Sequence, residues 1–420
     1  MKKVLPLSED KLLNLVSQVQ TPFYLYDEKG IIETVNEFNS AFSWAKGFCN
    51  YFAVKALPNP SVISTLAKLG MGADASSLPE IYLAKMAGCK RIIYTSNDTP
   101  DEEFKVAYEN GAILNLDDIS HIAVVKRVLG FLPEELCFRY NPGPERTGNA
   151  IIGNPVEAKY GLTTDQLISA YKIAKENGVK TFGLHTMVAS NELNPDYIVE
   201  TARMLFSLVA RVKNELDIDI SFIDMGGGIG IPYKEEDNKM DLNYVSAKMK
   251  VLYDEIIVPL NIDLEITFEC GRCITGPHGY LVSKVLHIAE KYKTYVGLDA
   301  CMANLMRPAL YGAYHHITQV GKTEAEKNMT YDVVGSLCEN NDKFAIDRKL
   351  AKAEIGDTVV FHDAGAHAWA MGFNYNAKLR CAEYYLHSDS SVELIRRKET
   401  YEDYTATLNF DKETIKLWVD

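Results

Sequence analysis

Between residues 50 and 270, short runs of apolar, β-branched or aromatic residues alternate with longer stretches in which apolar positions recur every three or four residues. The short runs cover 51–55, 71–76, 92–96, 112–116, 136–141, 181–187, 221–225 and 264–269. Helical patterning fills 60–70, 78–88, 101–111, 119–130, 164–178 and 196–216, and five of these six stretches close on glycine, the usual left-handed stop. Strands alternating with helices in this way predict a (β/α)8 barrel. The long connection 142–162 interrupts the rhythm, and loops of that length usually carry function or are disordered.

After residue 269 the rhythm changes. Strand-like runs dominate at 280–286, 295–298, 332–335, 357–361, 382–386 and 392–395. The expected architecture is therefore an α/β barrel over 26–270, with a second, mostly β domain built from 271–420 together with 1–25. The first 25 residues and the TPFYLYD run they lead into also look partly strand-like and could join either domain.

At 420 residues the chain is long enough for both units. A net charge of −13 argues against nucleic acid or an anionic membrane surface as a partner. No secretory leader pattern and no apolar run of membrane-spanning length is visible, so a cytoplasmic location is expected. Eight scattered cysteines fit reduced thiols better than a disulfide framework. Cys270 and Cys273 form one CxxC, but the second ligand pair of a zinc site is missing, so no metal is expected.

Barrel enzymes carry their chemistry at the C-terminal ends of the strands. There the sequence places Lys55, Asp74, Ser96, His185, Met187, Ser190, the Gly226–Gly228 triplet and Glu269. Lys55 alone reads as a lysine leaving its strand for solvent. In an apolar barrel mouth, however, desolvation would depress its pKa and make it a nucleophilic amine suited to imine formation. Glycines after a late barrel strand let backbone N–H groups approach a phosphate. A carboxylate such as Glu269 can keep a pyridine nitrogen protonated, or can simply pair with Arg272.

Together the segments YFAVKA, GADASS, RYNPG, KYGL, GGGIGIPY, ECGR, RPALYGAYHHI, LCENND and DAGAH resemble the fold-type III pyridoxal-phosphate decarboxylases, and within them the diaminopimelate decarboxylases. RPALYGAYHHI is the most specific of these segments. The resemblance spans nearly the whole chain and implies the same barrel-plus-β fold, pyridoxal 5′-phosphate as cofactor, and loss of CO2 from the D-centre of meso-2,6-diaminopimelate to give L-lysine. It implies Lys55 as the Schiff-base lysine and Glu269 as the partner of the pyridine nitrogen. It implies His185 stacked on the ring, with Ser190, Gly227, Gly228, Gly271 and Arg272 around the phosphate. Arg272, Arg307 and Tyr311 are implied to grip the substrate's distal carboxylate, and Glu339 its ammonium. Cys338 is implied as the acid that protonates Cα. Cys338 and Glu339 would come from the second subunit, which implies a homodimer with a shared active site.

The sequence departs from the family pattern at three places. Met187 replaces the second histidine of HxHxGS, and a thioether can pack beside a ring but cannot titrate. His367 stands where a tyrosine hydroxyl meets the phosphate, although imidazole can also donate there. Asn340 follows Cys338-Glu339 in place of serine. These departures keep two alternatives open. One is a related decarboxylase acting on D-lysine, ornithine, arginine or a conjugate. The other is a non-catalytic homologue that binds the cofactor.

Overall fold

The computed structural model describes residues 2–148 and 153–409. Eight parallel strands close a barrel in chain order: β2 (Cys49–Ala53), β3 (Gly72–Ala75), β4 (Ile92–Thr95), β5 (Ile113–Leu116), β6 (Glu135–Tyr140), β7 (Thr181–Thr186), β8 (Ile220–Asp224) and β9 (Glu265–Phe268), with β9 pairing back to β2. All eight coincide with the expected runs. Connecting helices follow the expected pattern, from α3 (Pro60–Lys68), which starts with Asn59 accepting from the Ser61 N–H at 3.1 Å, to α7 (Thr164–Glu176), which opens on a Thr163/Gln166 capping box.

Among the described residues three helices of ten or more residues were not anticipated: α1 (Glu9–Gln18), in the segment expected to be partly strand-like, α2 (Glu28–Ala41) and α9 (Leu242–Ile256). The chain leaves the barrel after β9, and the four-residue helix Arg272–Thr275 that follows is too short to complete the outer ring. Instead α2, which precedes β2, packs between α3 and α9. Phe38 and Phe42 on α2, with Phe48, form an aromatic cluster against Phe268 of β9. The barrel interior below the site is filled by Cys49, Tyr51, Ile93, Cys137 and Phe222. Gly183 makes this possible, because a Cβ there would lie 2.2 Å from the Phe222 ring.

A nine-stranded sheet forms the remainder. β1 (Phe23–Asp27) joins this sheet, antiparallel to β10 (Gly279–Glu290) and parallel to β16 (Ala382–Leu386). β10 also pairs with β11 (Thr294–Leu298) and β15 (Thr358–Phe361), so its length ties the sheet together. β13 (Met329–Val334) and β17 (Val392–Arg396) complete the expected strands. Two strands escaped the pattern. β12 (Ile317–Gln319) is only three residues long, and β14 (Lys343–Leu350) lies at the end of the strand order, with Asp347, Arg348 and Lys349 on its outer half. The long connection is anchored by Leu162, which bridges Tyr140, and by short turns at Gly143–Glu145 and Pro155–Glu157; positions 149–152 of that connection, and 410–420 of the expected second domain, lie outside the described residues. Among the described residues no helix is long and apolar enough to cross a membrane.

Three histidines, His315 and His362 buried and His278 half-buried, set an acid limit on stability. Burial, reinforced by nearby cations, pushes His278 down to about 4, and His315 and His362 down to about 3. Each is neutral when folded, while the unfolded chain takes up a proton near pH 6.5. Their stabilisation is therefore complete above pH 6.5 and lost as pH falls toward 3–4, each contributing on the order of 3 kcal/mol at the limit. Thermal unfolding followed by circular dichroism is expected to show Tm dropping steeply between pH 6.5 and 4. His278→Asn is expected to flatten that slope.

Candidate active site

A cavity of about 530 Å³ opens at the C-terminal ends of the barrel strands. Twelve residues expected at the site line it. Lys55, His185, Met187, Ser190, Gly227, Gly228, Glu269, Gly271 and Arg272 come from the barrel ends, and Arg307, Tyr311 and His367 come from the segments that follow.

Lys55 does not end a strand, as the apolar run suggested. Pairing of β2 with β3 stops at Ala53↔Asp74, and Val54–Ala56 coil into one 3-10 turn before Pro58, with the Leu57 N–H bonded to the Val54 carbonyl at 3.1 Å. Nor is its pKa depressed. The mouth is acidic rather than apolar, and Asp74, with its oxygen 3.3 Å from Lys55 Nζ, raises the amine above its ordinary value against the effect of burial, helped by Glu269 and Glu80. Half of the Lys55 side chain is exposed, but the exposed part faces the cavity. Asp74 is itself pushed up to about 7 by burial and by the charge of Glu269.

Glu269 follows β9 directly. Its N–H bonds the Gly226 carbonyl at 2.8 Å, and its Oε2 lies 3.0 Å from His185 Nε2. Burial alone would raise this carboxyl. His185, Lys55 and Arg139 outweigh it and leave the group below the ordinary carboxylate range. Ligand atoms of His185, Asp224 and Glu269 lie within 4.8 Å of one another.

The glycine triplet follows β8. Asp224 Oδ1 accepts the Gly226 N–H at 2.8 Å, and a Cβ at Gly226 would lie 2.2 Å from the Thr186 carbonyl. Gly228 has φ +102°, and a Cβ there would meet the Ala189 carbonyl at 2.6 Å. Met187 finds its place here. Its sulfur lies 3.3 Å from the Gly227 nitrogen as acceptor of that N–H, so the thioether holds the glycine loop. Gly271 lets the following turn approach the Lys55 segment, since a Cβ would lie 2.6 Å from the Ala56 Cβ.

Two guanidinium groups share Tyr233. Arg272 Nη1 donates to its hydroxyl at 2.7 Å, and Arg307 lies over its ring, 4.6 Å from the centroid. Arg307 is 3% exposed, with Nη1 2.9 Å from His315 Nε2. Among the described residues neither guanidinium is ion-paired with a carboxylate. His367 has φ +52°, and its N–H bonds the Ala56 carbonyl at 2.8 Å. Burial, with Arg272, Lys55 and Arg307, holds its imidazole well below its ordinary pKa and therefore neutral. Cys338 and Glu339 do not line the cavity. Cys338 is exposed, with its N–H bonded to Asn376 Oδ1 at 2.7 Å, and Glu339 Oε1 accepts the Asn341 N–H at 3.0 Å.

Sequence reasoning gave no role to Asp74, although it stood at a strand end, nor to Arg139, Tyr160 or Asp224. Arg139 lies in β6, paired with Asp117 at 3.2 Å and capped by the Tyr160 ring at 3.8 Å. An arginine inside an otherwise apolar barrel strand was its available signal. Tyr160 comes from the long connection, and nothing local marks it.

Residues 28–276 match the family model for the pyridoxal-binding domain of pyridoxal-dependent decarboxylases. The chain belongs to this family. This decarboxylase is 40% identical over 412 residues to Protein TabA of Pseudomonas amygdali pv. tabaci, with 97% of this chain and 95% of that protein covered. It is 33% identical to the diaminopimelate decarboxylase of Methanothermobacter thermautotrophicus, with coverage of 96% and 95%. Among solved structures, the diaminopimelate decarboxylase of M. jannaschii in complex with L-lysine superimposes with a TM-score of 0.86 at 30% identity, covering 94% of this chain and 93% of that one. The protein is a pyridoxal-phosphate-dependent carboxy-lyase of fold-type III. Its cavity suits that cofactor. Among the described residues Glu269 Oε1, Asp74 Oδ1 and His185 Nδ1 are buried without a hydrogen-bond partner, and the triplet brings backbone to the wall where a side chain would not fit.

Proposed function

We propose that this decarboxylase acts on meso-2,6-diaminopimelate at its D-centre, releasing CO2 and L-lysine, as a cytoplasmic homodimer. What carries the reading is the pair of guanidinium groups, Arg272 and Arg307, set around Tyr233 without a carboxylate partner among the described residues. Holding the buried Arg307 charge away from water is costly unless a ligand anion pairs with it. A diamino acid with a second amino-acid head brings that anion, whereas ornithine and lysine do not.

Lys55 would hold the cofactor through its amine, and Asp74, 3.3 Å away, is placed to take the ammonium proton. Gly227, Gly228, Gly271, Ser190 and the neutral imidazole of His367 would surround the phosphate, with Arg272 between phosphate and substrate. When bound, pyridoxal phosphate supplies an electron sink for the pair of electrons left as CO2 departs. Glu269, ionised at neutral pH, would hold a proton on the pyridine nitrogen, and His185 orients Glu269 through their 3.0 Å contact. Arg307 and Tyr311 would fork the distal carboxylate. Cys338 and Glu339 of a second copy would return the proton to Cα and hold the distal ammonium. Their absence from the cavity of a single chain agrees with that arrangement.

Arg307→Gln separates recognition from chemistry. Loss of a buried charge-assisted pair is expected to lower kcat/KM for meso-diaminopimelate by about 10²–10³-fold, while any turnover of D-lysine, which has no distal carboxylate, stays within about threefold. Steady-state kinetics on both compounds checks this. An equal loss on both would assign Arg307 to the fold instead.

A second reading is favoured by Met187 and His367 in the cavity wall: a decarboxylase of the same type acting on another amino acid or a conjugate. Faster CO2 release from ornithine, arginine or D-lysine than from meso-diaminopimelate would establish it.

A further inference from the structure

The CxxC pair, Cys270 and Cys273, is not used by the decarboxylation chemistry. Cys270 is buried on the turn after Glu269, and its backbone is clamped by Asn50 of β2, which accepts from the Cys270 N–H at 2.8 Å and donates to its carbonyl at 3.0 Å. Cys273 lies in the short helix α10 (Arg272–Thr275), whose first turn is closed by the Ile274 and Thr275 N–H groups bonding the Gly271 carbonyl at 3.1 and 3.2 Å. Cys270 precedes the helix, but Gly271 has helical backbone angles (φ −108°, ψ −55°) and Arg272 opens α10, so the two cysteines stand at the ends of one turn, where Cβ atoms three residues apart lie about 5–6 Å from each other, a spacing that modest adjustment brings to disulfide distance.

Their surroundings differ. Cys270 is sealed, whereas Cys273 is half-buried and lines a second cavity of about 330 Å³, walled also by Thr34, Met240, His278, Tyr280 and Asp363. This cavity lies behind the glycine loop. Ile229, directly after the triplet, lines both cavities, but Cys273 lines only the second. Arg272, between the two cysteines, lines only the active-site cavity. The turn thus presents its arginine to the active site and its second thiol to a separate cavity.

We propose that Cys270 and Cys273 form a reversible dithiol–disulfide site, reached by small disulfides through the second cavity rather than through the decarboxylation site. In the first step the Cys273 sulfur attacks one sulfur of the small disulfide. Its S–S bond breaks, and one thiol leaves with the Cys273 proton. In the second step the Cys270 sulfur attacks the Cys273 sulfur of the mixed disulfide, forming the internal bond and releasing the second thiol with the Cys270 proton. Two protein thiols are oxidised and one small disulfide is reduced to two thiols. The order follows from access, because only Cys273 meets the cavity. Once closed, the ring contains Gly271 and Arg272, so the redox state of the pair is written into a segment of the active-site wall.

The test uses the full chain loaded with pyridoxal phosphate, fully reduced and then exposed to 2-hydroxyethyl disulfide. The reaction is quenched with acid and the protein digested with trypsin. Cleavage after Arg272 separates the two cysteines, so closure appears as two peptides joined by a bond that dithiothreitol releases. The peptide readout keeps the exposed Cys338, which also reacts, out of the measurement. The joined peptides are expected to exceed the Cys273 mixed adduct by about tenfold, and loading the cofactor is expected to change the rate of the first step, read as adduct formation on Cys273 in Cys270→Ser, by less than about twofold. Cys273→Ser should abolish the joined product, and Cys270→Ser should leave a persistent adduct on Cys273. A wild-type protein that stops at the Cys273 adduct would show that the pair cannot close. Slowing of that first step by about twofold or more on loading the cofactor would place the entry route in the active site. Either outcome overturns the proposal.

Discussion

Lys55→Ala is expected to abolish decarboxylation, with turnover falling at least about 10⁴-fold, as when a nucleophile is removed from an enzyme that forms a covalent intermediate. The same change should remove the imine absorbance and the cofactor adduct trapped by borohydride. The folded chain should remain, because Lys55 sits on a one-turn segment with half its side chain facing the cavity and a single ion pair to Asp74. Loss of that pair leaves Asp74 among Glu269 and Glu80 without its cation, so its carboxyl should take up a proton more readily still. Retained turnover together with retained absorbance would remove Lys55 from the chemistry altogether.

The second large effect is expected at Glu269→Gln. The isosteric amide keeps a contact with His185 but cannot carry the charge that His185, Lys55 and Arg139 stabilise. A glutamine cannot hold a proton on a pyridine nitrogen by charge, so the electron sink is weakened while the substrate's distal end is untouched. We expect kcat to fall about 10²–10³-fold with KM changed little. Because the carboxyl lies below its ordinary range, the wild-type kcat should show no ionisation from Glu269 between pH 5 and 8. Parallel pH profiles of wild type and variant check both statements. A loss of tenfold or less would mean that the ring nitrogen does not depend on this carboxylate.

The barrel was legible because its strands are buried on both faces and its helices are amphipathic, so both periods stand out in the sequence. What escaped was set by distant parts of the chain. The ring-completing α2 lies before the first barrel strand, and its role follows from the exit of the chain after β9. β14, at the end of its strand order, carries the charges of such a strand and reads as a loop. At the site, residues at strand ends were legible because position along a barrel strand predicts orientation. The pKa of Lys55 was not, since its direction depends on Asp74 from the neighbouring strand and on Glu269 across the barrel. Met187 illustrates the same point. Its sequence position suggested a neighbour of the cofactor ring, but gave no sign that its sulfur also serves the Gly227 N–H, a contact visible only once β7 and the glycine triplet are brought together. The arginine pair was legible in part. The two residues were recognised separately, but their convergence on Tyr233 depends on three segments distant in sequence.

The most direct measurement is CO2 release by the purified, cofactor-loaded protein over a panel of meso-diaminopimelate, L,L-diaminopimelate, D- and L-lysine, ornithine and arginine. The account predicts the highest kcat/KM for meso-diaminopimelate, with L-lysine as the product. A higher value for any compound without a distal carboxylate, or no CO2 from the whole panel, would contradict it.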